Sequence, residues 1–369
     1  HFYEDFLKEY DPLLRKSMGA YYTPVPVVQF MIRAVDEVLK KEFNLSGGIA
    51  NTDKIQRDIY VQGKKGKEMV HKVQILDPAV GTATFLNEII KYIHKGFKDQ
   101  EGVWQSYVDQ ELLPRLYGFE LMMAPYTIAH LKLAMTLKDT GIDKFNRRLG
   151  VYLTNTLEEG VKNKNDLFSS LGLVEAISEE SKAAGAIKHD RPIMVIIGNP
   201  PYSGVSSNMT EYANRLIEKY KVEPGGKEKL KERKHWLNDD YVKFIAFAEQ
   251  MIEKNGEGIV AMITNHGYIN NPTFRGMRWQ LTQTFNKIFI LDLHGNVKRN
   301  ETSLDGSKDE NVFNIQQGVA IIIAIKTKQK KTAAEIYRAD MWGKIMKKFE
   351  QLSNSSLNQL KRFKLQLDA

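Results

Sequence analysis

The strongest constraint on the fold is an alternation of short β-branched runs with longer stretches of helical periodicity. The runs are "KVQILD", "LYGFEL", "GVYLTNT", "PIMVIIG", "EGIVAMITN", "KIFILDLHG" and "GVAIIIAIKT". Between them lie stretches such as "TFLNEIIKYIHKGF", "APYTIAHLKLAMTLKD" and "DDYVKFIAFAEQMIEKN", whose apolar residues recur at helical spacing. Strands alternating with helices predict an α/β fold of seven strands, with a mostly parallel sheet covered on both faces.

The flanking segments are less regular. Residues 1–19 read as an amphipathic helical lead-in. A second helix is expected over 25–43, with Pro24 and Pro26 suited to its first turn. The polar stretch 44–72 carries "QGKKGKE", a Gly/Lys loop tip on a short hairpin. Residues 160–190 and 210–234 read as polar or charged insertions. The tail from about 333 reads as helical. We therefore divide the chain into a lead-in (1–45), a central domain (46–330) and a helical linker (331–369). No internal repeat is visible.

Composition narrows the chemistry. The 369 residues contain no cysteine, which excludes disulfides, a thiolate nucleophile and Cys-ligated metals, and suits a reducing cytoplasm. His235, His266 and His294 share no ligand spacing, so no metal site is expected. No apolar run approaches the ~20 residues a membrane helix needs. The formal charge of +8 and pI near 9.2 lean toward a polyanionic partner. The first residue is His, so the chain reads as part of a longer polypeptide.

"LDPAVGTATF" (76–85) is a strand, a small-residue turn and a helix start. Small residues let backbone N–H groups approach a ligand, and the helix N-terminus favours polar or negative groups. Glu120 ends the second strand, where an acid can accept hydrogen bonds from both ribose hydroxyls of a nucleoside cofactor. Asn155 ends the third, where its amide could read an adenine edge. Each piece alone is more often packing or capping. Three in order, on successive strand ends, point to a nucleoside cofactor. No phosphate-cradling G-x-x-x-x-G-K-[ST] occurs, and Ala79, Gly81 and Ala83 fit a dinucleotide fingerprint poorly.

The fourth strand ends in "GNPPY" (198–202). Two prolines stop it in a stiff turn. The side-chain oxygen of Asn199 and the carbonyl of Pro200 are two acceptors that Pro201 keeps aimed at one point. Two fixed acceptors can hold a planar exocyclic amine and free its lone pair for attack. Tyr202 offers a face for stacking a flat base.

Together, "GAYYTP", "LDPAVGTATF", "GFEL" and "GNPPY" resemble the signature of gamma-type DNA N6-adenine methyltransferases. The likeness is greatest to the methyltransferase region of type IIG, type ISP and type I restriction-modification enzymes, and it covers about residues 1–330. It implies a Rossmann-like, S-adenosylmethionine-dependent methyltransferase whose last strand is antiparallel. Tyr21, Thr23, Pro24, Asp77, Pro78, Ala79, Gly81, Thr82, Phe85, Glu120, Leu121, Asn155, Thr156 and Leu157 would line the S-adenosylmethionine site. Asn199, Pro200, Pro201 and Tyr202 would form the catalytic motif, with Tyr202 and Phe313 against a flipped-out adenine. Arg275 and Arg278, opening a helix after the fifth strand, are expected to contact DNA phosphates.

The sequence departs from the family at two places. Ala83 stands where relatives carry a second glycine, and would be strained if φ is positive there. Asn155 stands where many carry Asp. Two other readings stay open: the same chemistry on a protein glutamine amide or RNA, and a non-catalytic cofactor-binding subunit. Double-stranded DNA is the expected partner. Target-recognition, nuclease and motor parts are expected outside this chain.

Overall fold

A computed structural model describes residues 22–61, 64–159, 172–202, 206, 208–231, 235–299, 301–303, 305–329, 334–359 and 363–365. The chain forms two compact units, Val35–Ile197 and His1–Ala34 with Gly198–Ala369.

The Val35–Ile197 unit contains an antiparallel hairpin of β1 (Lys54–Val61) and β2 (Lys64–His71), with Lys54 opposite His71. The expected Gly/Lys tip is thereby corrected: Lys64, Lys65, Gly66 and Lys67 lie on β2 itself. The main sheet of this unit runs β6-β3-β4-β5, from β3 (Ile75–Asp77), β4 (Leu116–Glu120), β5 (Val151–Leu153) and β6 (Val195–Gly198). All three pairings are parallel. Both faces of these strands are covered, which is why they read as continuous apolar runs rather than alternating ones. Ile75, Leu76, Phe119, Val151 and Ile196 are fully buried. Helices α2 (Thr84–His94) and α3 (Met123–Asp139) follow β3 and β4, and α4 (Gly172–Asp190) precedes β6.

In the other unit the strands run β7-β9-β8-β10-β11. They are β7 (Gly258–Asn265), β8 (Lys287–His294), β9 (Val319–Lys326), β10 (Glu335–Asp340) and β11 (Phe363–Leu365). As expected, β9 is antiparallel to its neighbours, β7 and β8. Seven of its eight residues are buried, each valine or isoleucine stabilising by roughly 1.5–3 kcal/mol. Helix α5 (Asp240–Asn255) ends at Gly256, whose φ of 85° makes the left-handed cap, and α6 (Arg275–Thr284) leads into β8.

All seven expected strands form. The helical tail is corrected: it supplies β10, helix α7 (Ile345–Asn354) and β11. Strand β10 runs parallel to β8, and β11 antiparallel to β10. The polar alternation of "EIYRAD" hid strand β10. The expected lead-in helix lies outside the described residues. The helix predicted over 25–43 is α1 (Val25–Glu42).

Candidate functional site

Parallel pairing brings acids to neighbouring strand ends in the Val35–Ile197 unit. Asp77 sits opposite Gly118, two residues before Glu120. The turn after β3 is tied to β4 by Val80 N donating to Phe119 O (2.9 Å). Gly81 has φ 53°, and a Cβ there would meet nothing within 4 Å, so its backbone faces open space. Gly81 N donates to Glu120 Oε2 (2.9 Å) and Met122 N to Oε1 (2.8 Å). The carboxylate is thus fixed in plane, with lone pairs left for further donors. Ala83 adopts φ 61°, ψ 38°. The strained position the family fills with glycine is therefore needed here too.

Both acids resist ionisation. Burial pushes Asp77 up to about 8, and the Glu120 charge adds to this against one hydrogen bond from Ala79 N. Burial also raises Glu120, opposed by N–H groups of Met122, Gly81 and Leu121. Buried acids of raised pKa favour a ligand bearing hydroxyl donors or positive charge. Pro78 carbonyl is held by Thr156 Oγ1 (2.5 Å). Phe85 and Leu157 are buried, and Leu121 is exposed. Ala79 and Thr82 are half-buried.

Asn155 is held in a hydrogen-bonded turn. Its Oδ1 accepts from Leu157 N (3.0 Å) and its Nδ2 donates to Glu158 Oε1 (3.0 Å), so the amide organises its own turn. Sequence reasoning missed Lys188, whose Nζ donates to the carbonyls of Asn155 (2.7 Å) and Glu158 (3.0 Å). Burial lowers this lysine to about 8. Only the buried position on α4 reveals it, since the surrounding sequence is polar.

In the other unit, Asn199 follows Gly198 at the end of β6, and its Nδ2 donates to Thr23 Oγ1 (3.1 Å). The two are 176 residues apart. Pinning Nδ2 fixes the amide plane and therefore the direction of Oδ1. Thr23 is buried, and Pro24 O caps the start of α1 by accepting from Val27 N and Val28 N. Pro200 is buried and Pro201 half-buried. Tyr202 is 1% exposed and Phe313 6%, so both rings are packed inside rather than offered as open stacking faces. Tyr21 lies outside the described residues.

The two arginines expected at DNA phosphates have partners within the chain. Arg275 makes a two-pronged ion pair with Glu223 (2.6 Å each). Arg278 Nη1 donates to the carbonyls of Tyr268 (2.8 Å) and Asn271 (2.9 Å). Their donors brace the start of α6. The spacing of the histidines in sequence did not reveal that His266, after β7, and His294, ending β8, converge with Asp292.

The turn after β3 and the strand-end acid Glu120 sit on a largely parallel α/β sheet. The chain belongs to the N-6 DNA methylase family, whose profile matches residues 1–275. The restriction-modification kinship expected from the motifs agrees with solved structures. A DrdV–DNA complex matches with a TM-score of 0.74 and 26% identity, over 100% of this chain and 32% of that one. The ATP-dependent type ISP restriction-modification enzyme LlaBIII, bound to DNA, matches with a TM-score of 0.73 and 26% identity, over 93% and 22%. The type ISP enzyme LlaGI, as a nuclease-deletion mutant with a DNA substrate mimic, gives 0.73 and 22%, over 99% and 28%. This chain thus spans about a third or less of their length. No curated protein matches. Among the described residues no helix is long and apolar enough to cross a membrane.

Proposed function

We propose that the protein is an S-adenosylmethionine-dependent methyltransferase that modifies the N6 amine of adenine in double-stranded DNA. It would act as the modification part of a cytoplasmic restriction-modification system. The observation that carries this reading is the Thr23–Asn199 hydrogen bond, which sets the orientation of the Asn199 amide within Asn-Pro-Pro-Tyr.

The residues of the turn fit the cofactor. Glu120, held by two backbone N–H groups, is suited to ribose hydroxyls, and Asp77 to the positively charged end. Bound there, S-adenosylmethionine supplies an electrophilic methyl on sulfonium. Asn199 Oδ1 and the Pro200 carbonyl accept both hydrogens of the amine and turn its lone pair toward the donor. The alkylated amine is acidic and loses its proton to water, so no protein base and no covalent enzyme intermediate are required. Reaching the amine demands that adenine leave the duplex, at a cost of a few kcal/mol. Tyr202 and Phe313 would receive it, their rings moving out of their packed positions.

Target-recognition, nuclease and motor functions would belong to parts of the protein outside this chain. The test is transfer of labelled methyl to unmethylated DNA, with a glutamine-bearing peptide and ribosomal RNA as competitors. We expect N6-methyladenine from DNA alone, and a roughly 10²–10³-fold lower kcat in Asn199→Ala. Labelling of the peptide or RNA in preference to DNA would move the substrate to the other class.

A further inference from the structure

We propose that His266, Asp292 and His294 form a binding site for a divalent transition-metal ion, with Glu301 beside them, that pins the loop carrying Phe313. The ligand atoms of the first three lie within 4.8 Å of one another, and all three residues are buried. His266 Nδ1 is 3.0 Å from Asp292 Oδ1. His294 Nδ1 is 3.7 Å from the same oxygen and 3.9 Å from Glu301 Oε1. Ligands at zinc's ~2.0–2.1 Å bond lengths stand roughly 3.4 Å apart in a tetrahedron. These spacings bracket that value.

A second observation points to a ligand. His294 Nδ1 is a buried polar atom with no hydrogen-bond partner, and its side chain is 6% exposed. A ring nitrogen sealed from water without a partner costs about 1–3 kcal/mol. Its direction is set from three sides. The backbone at His294 is left-handed, at φ 54°. Trp342 stacks on the ring at 3.4 Å. Nε2 bonds Asp340 Oδ1 at 2.8 Å, the carboxylate–histidine arrangement that orients metal-bound imidazoles and selects the Nε2–H tautomer.

The neighbouring charges permit a cation. Arg338 contacts Asp292 through Oδ2 (3.2 Å), leaving Oδ1 toward the histidines. Among the described ion pairs, Arg338 meets Asp292 and Asp340 and Lys348 meets Asp309, while Glu301 lies by His294, so two cations stand among four carboxylates. With neutral imidazoles two negative charges are left over, matching a divalent ion. Binding would displace the proton shared by His266 Nδ1 and Asp292. The His266 Nε2–H would then face Asn296, now 3.3 Å away through Nδ2, whose amide turns over to accept it. Two imidazoles with carboxylates suit zinc better than magnesium or calcium.

The cluster also reaches the Phe313 segment. Gly295 N donates to Asp309 Oδ2, and Asn311 Nδ2 to Gly295 O. Asn311 Oδ1 in turn accepts from Phe313 N.

The test is zinc chloride titrated by calorimetry into the chelator-treated protein, alongside His266→Gln and His294→Gln, with His235→Gln as control. We expect one site in the wild type and control, weakened at least about tenfold in the two cluster variants. No uptake, or equal affinity in all four proteins, overturns the proposal. Should a cluster variant fail to fold, X-ray absorption of the zinc-loaded wild type decides. A shell with two imidazoles at ~2.0–2.1 Å supports the site, and a shell without imidazole overturns it.

Discussion

Ala83 shows how much one position can demand. Its left-handed backbone costs a residue with a Cβ roughly 1–2 kcal/mol, and the turn keeps it because Gly81 N and Val80 N are both committed to β4. We expect Ala83→Gly to raise unfolding free energy by about 1 kcal/mol in urea titrations, with the turn geometry intact. Asp77 gives a pH signature. Its carboxyl is raised from 3.8 to about 8 by burial, with the Glu120 charge adding to the shift. Between those values the folded state holds a proton that the unfolded chain has released, so this group's contribution makes stability fall as pH rises from about 4 to 8. A cationic cofactor beside Asp77 favours the ionised form. Binding near pH 7 is therefore expected to release a proton, seen by calorimetry in buffers of different ionisation heat. Asp77→Asn should remove that release.

At the scale of elements, the close fit of the turn and α2 against β4 depends on Gly118. A Cβ there would stand 2.8 Å from Val80 Cγ2 and 3.1 Å from Leu86 Cδ1. Gly118→Ala should cost about 1–3 kcal/mol by overpacking, and should weaken cofactor binding by shifting Gly81 away from Glu120. Thermal unfolding and cofactor titration on one variant test both effects. The seven central strands were legible because burial on both faces writes unbroken apolar runs. Strands β10 and β11 were not, since their apolar residues alternate with polar ones and read like a helical tail. The intramolecular partners of the α6 arginines were hidden for a related reason. A basic residue near a helix start looks free in sequence, while Glu223 lies 52 positions before Arg275.

Across the molecule, the described residues divide the proposed chemistry. Asp77, Gly81 and Glu120 belong to the Val35–Ile197 unit, and Thr23, Asn199 and Phe313 to the other. The latter unit has its own buried anchor. Lys348 donates to Asp309 Oδ2 (2.9 Å) and to the carbonyls of Leu293 and Glu310, and both members of the ion pair are wholly buried. Lys348→Met leaves Asp309 charged without its cation. A loss of about 3–5 kcal/mol is expected in urea unfolding, while an Asp309→Leu/Lys348→Met double variant should recover part of it.

The sequence alone determined the α/β alternation, the Asp77–Phe85 turn, the Glu120 strand end and the Asn-Pro-Pro-Tyr motif. Each is local, written in consecutive residues whose dihedral and burial needs leave few alternatives. Tertiary structure decided the partners. It joined Thr23 to Asn199, spent the Asn155 amide within its own turn and buried Tyr202. It also brought His266 to His294 through two strands that share β9 as neighbour. Such pairings depend on strand order and register, which bring distant residues together and which no local spacing records.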